Sequence, residues 1–399
     1  MTDGDVSDVR ESMVALSEGL PRVLHEWGQH LLTWFTGRPL PGQTPWHRST
    51  PNQQILAAVV WLFAGAFGGY FLLTATTMLW PLLPVAWLCV VSSARRLQVS
   101  IFHVTVHAAF TGNKRADRLI GELISVVLFI SPYDHYYFEH VVLHHPVETF
   151  GTIKDPDLAF LVMLGFKPGM TKRELWQRLL ATVFSPKFHL LFFAARLKAN
   201  FVGSRGRPTS RARLAAAYVF NAGLLAAVAY ANLWYAFLLC WFFPLTLLYH
   251  VSAILQFVCE HRWLLKRLPD EPAKMYVSRM TVGRFLGSRF PAKGGLAAKG
   301  LWSLKMLGHG LSRVAVMVNG LPEHDWHHRH PRSKEWPNSV YARQFDNDSG
   351  HKGWPEEYQE VWGLFTAIDT VFDQLSSLPP EAASDEPEPR GAVGFPSAM

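Results

Sequence analysis

Two long stretches of the chain contain no charged side chain. Asp, Glu, Lys and Arg are absent from Ser49 to Ala94 and again from Leu214 to Cys259. As an α-helix, either stretch would be about 69 Å long, more than twice the roughly 30 Å hydrocarbon core of a bilayer. Helices buried in a large soluble core rarely give uncharged runs of this length. We therefore predict two membrane spans in each stretch, near residues 54–74, 78–95, 213–231 and 235–256.

Cationic side chains flank both stretches. The flanking residues are Arg95, Arg96, Arg205, Arg207, Arg211, Arg213, Arg262, Lys266 and Arg267. Such residues retain loops on the cytoplasmic side of a membrane. The sequence thus predicts an all-α integral membrane protein with four transmembrane helices in two hairpins and a cytoplasmic helical domain. The net charge of +7 fits this pattern better than nucleic-acid binding, which requires cations gathered on one accessible face.

The polar segments divide the chain into four parts. Residues 1–48 are predicted to be a cytoplasmic segment, with a peripheral amphipathic helix over 8–35 because apolar residues recur there near helical spacing. Residues 49–345 hold the spans and the histidine clusters described below. Residues 346–375 are predicted to form a C-terminal helical extension. Residues 376–399 are rich in Pro, Glu and Ala and predict a disordered tail.

The 18 His residues include three clusters outside the predicted spans. His103 and His107 are spaced i, i+4, which places both imidazoles on one face of a helix. The second cluster is His140-Val-Val-Leu-His144-His145, and the third is Glu323-His324-Asp325-Trp326-His327-His328. Imidazole is the commonest protein ligand of first-row metals. Converging imidazoles without a metal would leave their nitrogens unsatisfied, so the clusters predict metal binding.

Several kinds of metal site are excluded by the same sequence. Cys89, Cys240 and Cys259 lie in apolar stretches without a CxxC, which argues against a disulfide scaffold and a thiolate zinc site. The HExxH motif of zinc proteases is absent. A haem held in a membrane bundle needs one His on each of two facing spans, whereas these clusters lie outside the predicted spans. Eight clustered His residues exceed the needs of one ion, so the pattern favours two metal ions with His-dominated coordination.

The order H-x3-H, H-x3-HH and H-x2-HH, with membrane hairpins before and between the clusters, resembles the membrane fatty acid desaturase/hydroxylase superfamily. The resemblance covers roughly residues 55–345 and implies that 49–345 is a membrane and di-iron domain. It implies two non-haem iron ions on the cytoplasmic side, which use O2 to attack an unactivated C–H bond. The superfamily commonly adds a His after the last span, and Cys259–Trp263 fits that place. The implied ligands are His103, His107, His140, His144, His145, His261, His324, His327 and His328.

Two neighbouring features extend or limit the resemblance. The segment Lys154–Leu158 resembles an acidic-proline stretch that follows the second cluster in many desaturases. It can serve as a helix N-cap and turn or orient a ligand imidazole. The first cluster reads His-Val-Thr-Val-His, whereas the family commonly has His-Asp-x-x-His. Because of this departure, the resemblance does not identify the substrate.

The function implied by the resemblance is that of an O2-dependent acyl desaturase, which introduces a double bond into an apolar chain taken from the bilayer. A hydroxylase or a carotenoid ketolase of the same superfamily uses nearly the same clusters. A His-rich metal transporter is an alternative of another class, although transporters place ionisable groups within their spans. The sequence has no GxGxxG, CxxCH or HPGG motif, so a separate electron donor is implied: a ferredoxin, a rubredoxin or a cytochrome b5-like protein, with its reductase.

Overall fold

Four long apolar helices dominate the computed structural model, which describes residues 8–203 and 209–383. The structure confirms four helices long and apolar enough to cross a membrane, close to the predicted spans. The second helix continues past the predicted end at residue 95 into the polar part of the chain. The four helices are Pro51–Ala75, Thr77–Val106, Arg211–Tyr230 and Trp234–Val258.

The first apolar helix packs closely against the second and the fourth. Thr50 and Gln53 form a capping box at its start, with Pro51 in the first turn, a combination that favours helix initiation. A Cβ atom added at Gly65 would lie 2.8 Å from the carbonyl oxygen of Ala86, and one at Gly69 would lie 2.8 Å from Sγ of Cys240. These glycines therefore permit the close helix approach that is typical of membrane bundles.

The third apolar helix packs against the helices Lys114–Leu128 and Pro186–Phe201. Its anchor is Arg213, which is buried. This guanidinium donates to the backbone oxygen of Asn200 at 2.8 Å and to Oγ of Ser125 at 3.0 Å. The contacts attach the start of the span to the polar part of the chain.

Segments of π-helix interrupt the second and fourth spans and also form part of the second histidine cluster. They are Leu97–Phe102, Phe138–His144, Leu238–Phe242 and Pro244–Leu248. Pro244 lacks an N–H, which contributes to the irregularity of the fourth span. Such segments occur frequently at functional sites because they shift the faces that side chains occupy.

Shorter helices and one pair of strands complete the described part of the chain. The strands Gly283–Phe285 and Glu360–Trp362 pair in parallel. The other α-helices are Asp8–Ser12, Arg22–Thr36, Pro156–Met163, Lys172–Val183, Ala273–Met280, Leu296–Ala315, His324–Arg329, Ser339–Asp348 and Leu364–Ser377, with Tyr133–Tyr137 preceding the second cluster. The 3-10 helices are Met13–Leu16, Thr77–Leu82, Trp336–Asn338 and Pro380–Ala383.

The prediction of one amphipathic helix over residues 8–35 is wrong. The segment forms two α-helices, because Gly19 adopts a φ of 80° and Pro21 precedes the second helix. At the other end, the segment predicted as a helical extension also contains the strand Glu360–Trp362. The α-helix Leu364–Ser377 buries Ile368 and Phe372 completely in the core. Residues 384–399 of the predicted tail lie outside the described residues.

Candidate metal centre

All nine predicted histidines converge, and they form two adjacent groups. Within each group, one ring nitrogen from every member lies within 4.8 Å of those of the other members. The first group consists of His103, His107, His140, His145 and His327. The second group consists of His144, His261, His324 and His328. The rings of His145 and His328, one from each group, have centroids 4.7 Å apart, so the groups form a single centre.

Local helix geometry divides the second cluster between the two groups. The backbone N–H of His145 donates to the carbonyl oxygen of His140 at 3.1 Å, which is the i to i+5 bond of a π turn. This turn brings the ring of His145 close to that of His140, with the ring planes nearly perpendicular and the centroids 4.6 Å apart, and both residues belong to the first group. His144, one residue earlier, points to the second group.

An ordinary α-helical turn divides the third cluster. In the helix His324–Arg329, residues three and four apart lie on either side of one face. His324 and His328 therefore reach the second group, whereas His327 reaches the first. His261 follows the end of the fourth span and is buried in the second group.

Several of these imidazoles meet through their Nε2 atoms. The Nε2 atom of His103 lies 2.8 Å from that of His327 and 2.9 Å from that of His140. In the second group, the Nε2 atoms of His328 and His324 are 3.2 Å apart. A neutral imidazole has one N–H and one acceptor nitrogen, so clustered Nε2 atoms cannot all be satisfied by one another.

The donor set fits two metal ions. Buried ring nitrogens without a hydrogen-bond partner occur on His107, His144 and His261, whereas buried polar atoms are normally paired. Burial lowers the pKa of most of these imidazoles well below its usual value, which leaves them neutral with a lone pair free for a metal. The residues so affected are His107, His140, His145, His261, His324, His327 and His328.

His144 is held by carboxylates on the side away from the centre. Its Nδ1 atom lies 3.0 Å from Oδ1 and Oδ2 of Asp155 and 3.3 Å from Oδ2 of Asp157. Burial acts to lower the pKa of His144, but these carboxylates outweigh it and raise the pKa to about 9. Asp155 also caps the helix Pro156–Met163, so the acidic stretch both caps a helix and contacts an imidazole of the centre.

A buried ion pair that the sequence did not reveal supports the third cluster. Arg343 donates to Asp325 through Nε at 3.0 Å and through Nη2 at 2.8 Å. Asp325 lies between His324 and Trp326, so the pair fixes the short helix that carries three of the candidate ligands. Arg343 also donates through Nη1 to Oε1 of Glu360 at 2.9 Å. Breaking a buried pair of this kind typically costs about 3–5 kcal/mol.

A solvent-facing cleft of about 670 Å³ borders the first group. Its walls include His107 and His145, together with the segment His330–Ser333 and Val141. Every imidazole of the second group is buried. A small molecule that enters through this cleft therefore reaches the first group before the second.

Four membrane-length helices and two adjacent histidine groups define a membrane protein with a candidate dinuclear metal centre. The family model for fatty acid desaturases matches residues 78–288. The chain belongs to the fatty acid desaturase family, within the membrane fatty acid desaturase/hydroxylase superfamily of oxidoreductases. No curated protein matches the chain. The matched region contains the first two clusters and His261, whereas the third cluster lies beyond it.

Proposed function

We propose that the chain is a membrane-bound, O2-dependent acyl desaturase whose nine histidines hold two non-haem iron ions. The observation that carries this proposal is the convergence of three separated clusters and His261 into two groups of nitrogen donors. The family match supports the reaction class. A metal transporter is disfavoured because eight of the nine donors lie outside the four apolar helices, with His103 near the end of the second.

The protein's own residues hold and shield the centre. When bound, two iron ions would supply the O2-dependent oxidation of an unactivated C–H bond. Asp155 orients His144, and Arg343 orients the third cluster through Asp325. Apolar side chains around the site exclude water: Ile101 and Phe102 are completely buried beside the first cluster. Desaturation removes one hydrogen from each of two adjacent carbons, so side chains that hold the acyl chain in a fixed position favour the reaction.

An apolar acyl chain suits the position of the centre. The first cluster lies at the end of the second span, and His261 follows the end of the fourth span. A chain leaving the bilayer along these helices therefore meets the centre where the apolar helices end. Electrons come from a separate donor protein, because the sequence contains no flavin, haem or nicotinamide-binding motif.

The products of a reconstituted reaction test the proposed function. Purified protein supplied with iron, O2, an electron donor with its reductase and candidate acyl substrates should form a product two hydrogen atoms lighter, by mass spectrometry. Omitting the donor should abolish the product. A product that gains one oxygen atom from 18O2 would assign the chain to the hydroxylases or ketolases instead.

The side of the membrane is a second part of the proposal: both hairpins are proposed to open toward the cytoplasm. Thr77, exposed at the start of the second apolar helix, and Lys114, exposed beyond the end of that helix, should then lie on opposite sides of the membrane. Thr77→Cys and Lys114→Cys variants in sealed inside-out vesicles, compared with the unmodified chain, should differ in labelling by a membrane-impermeant thiol reagent. Only the cysteine at position 114 should react until the vesicles are permeabilised. Equal labelling of both before permeabilisation would exclude the hairpins.

A further inference from the structure

The helix Arg22–Thr36 turns its polar side chains inward and its apolar side chains outward. Its buried residues are Gln29, Thr33 and Thr36. Its exposed stripe consists of apolar residues at intervals of three and four, each more than half exposed: Leu24, Trp27, Leu31 and Trp34. A helix on the surface of a water-soluble protein has the opposite arrangement.

Hydrogen bonds fix this orientation of the helix. Arg10 is buried and donates to Gln29, through Nη1 to Oε1 at 2.9 Å and through Nη2 to the backbone oxygen at 3.0 Å. Thr33 donates to Oε1 of Gln43 at 2.8 Å. If the apolar stripe turned inward, these bonds would break and Arg10 would be a buried charge without a partner, which is costly. The stripe therefore stays on the outside of the protein.

The helix Leu296–Ala315 exposes a second apolar stripe. Four leucines, also at intervals of three and four, are each at least half exposed: Leu301, Leu304, Leu307 and Leu311. The residues that this helix buries are Met306 and Arg313. Extended apolar stripes of this kind on a protein surface mark contact with a partner or a membrane.

Contacts at one end of the helix Leu296–Ala315 join it to the helix Arg22–Thr36. Arg313 donates through Nε to the backbone oxygen of Trp34 at 2.8 Å, and its guanidinium lies 6.0 Å from the centroid of the Trp34 ring. A Cβ atom added at Gly310 would lie 3.1 Å from Cε2 of Phe35. The two stripes thus belong to neighbouring helices on one part of the surface.

This part of the surface adjoins the membrane-spanning helices. The helix Leu296–Ala315 packs against the part of the second span from Leu83 to Arg96. Its own cations, Lys299, Lys305 and Arg313, make it unsuited to crossing the hydrocarbon core. An apolar stripe on a helix that contacts a span without being one is typical of a helix that lies along the membrane surface.

Residue types in both helices suit the boundary between lipid headgroups and acyl chains. Tryptophan is enriched at this depth, and the first stripe contains Trp27 and Trp34. Lys299 and Lys305 are exposed on the helix that carries the second stripe. No Asp or Glu occurs between Glu271 and Glu323, so the charge around the second stripe is positive and complements anionic headgroups.

We propose that the two stripes lie in the lipid surface of the leaflet on the side of the metal centre. The chain continues from the helix Leu296–Ala315 into the third histidine cluster, and Arg313 also donates to the backbone oxygen of Met317 within this connection. Contact of the stripes with lipid therefore holds the third cluster at the level of the membrane surface.

The test uses Leu31→Cys and Leu304→Cys variants of the full-length chain, labelled with bimane and placed in phosphatidylcholine nanodiscs. Both faces of a nanodisc contact water. We expect a nitroxide attached to lipid near the headgroup to quench both labels, and we expect iodide in the water to lose most of its quenching at both. Val60→Cys, exposed in the first span, is the control for lipid, and Lys114→Cys is the control for water.

The unmodified chain, treated in the same way, gives the background from its native cysteines. Iodide quenching at positions 31 and 304 equal to that at position 114 would mean that the stripes face water and would overturn the inference. Labels shielded from both quenchers would mean that protein, such as a second copy of the chain, covers the stripes, which also contradicts it. Neither result involves turnover, so the proposed function is tested separately. A label at position 60 that lipid does not quench would overturn the membrane assignment itself.

Discussion

Alanine in place of either His144 or His327 should abolish product formation. The two residues belong to different groups, since His327 is a member of the first and His144 of the second. Loss of one nitrogen donor leaves an incomplete coordination sphere. Changes to residues that merely support a ligand already cost about 10–100-fold in metal affinity or activity, so removal of a ligand should cost at least ~100-fold. Product yield and iron per chain in detergent-purified protein measure the effect.

The suitable control for both variants is His309→Ala. His309 is half-buried and contacts Oγ of Ser288 at 2.9 Å, and it belongs to neither group. This variant should keep activity and iron, and all three should insert into membranes to the same extent. Full activity in either His144→Ala or His327→Ala would contradict the assignment of these residues as ligands. Zinc alone in protein from iron-replete cells would contradict the choice of metal.

The spans and the ligand candidates were predictable from the sequence because each depends on local information. Uncharged runs reveal membrane-length helices through composition alone. The spacing of His103 and His107 places both on one helix face, and the structure keeps them in one group. The additional His261 came from the resemblance, since a lone histidine after a span carries no pattern of its own.

The division of the donors between two groups was not predictable. His144 and His145 are adjacent, yet they face different groups because a π turn replaces an α turn over Phe138–His144. A π turn of this kind depends on tertiary packing as much as on local propensity. The spacing of the second cluster alone is compatible with either turn.

Contacts between distant segments were also hidden from the sequence. Arg343 and Asp325 are 18 residues apart along the chain, and only the fold shows that their side chains meet. Each strand of the pair Gly283–Phe285 and Glu360–Trp362 has three residues, too few for an alternating pattern to emerge. The break in the N-terminal segment did have a signal in Gly19 and Pro21.

The replacement Asp155→Asn should weaken metal binding by about 10–100-fold, the usual effect of removing a partner that orients a metal-binding histidine. The carboxylate of Asp155 accepts from Nδ1 of His144 and from the backbone N–H groups of Gly151 at 2.9 Å and Asp157 at 3.0 Å. An asparagine side chain has one oxygen and one NH2 group in place of two oxygens. It therefore directs N–H toward one of these donors and lowers the basicity of His144. Iron retained against increasing concentrations of a chelator measures the change.

The control for this variant is Asp134→Asn, which removes an exposed carboxylate that pairs with Arg118 rather than with a member of either group. It should retain iron as the unmodified chain does. Asp157→Asn should fall between the two, because Asp157 contacts His144 at 3.3 Å and makes fewer bonds to the centre than Asp155. Equal retention of iron in all three variants would mean that His144 needs no carboxylate to orient it. The role of the acidic stretch would then be limited to capping the helix Pro156–Met163.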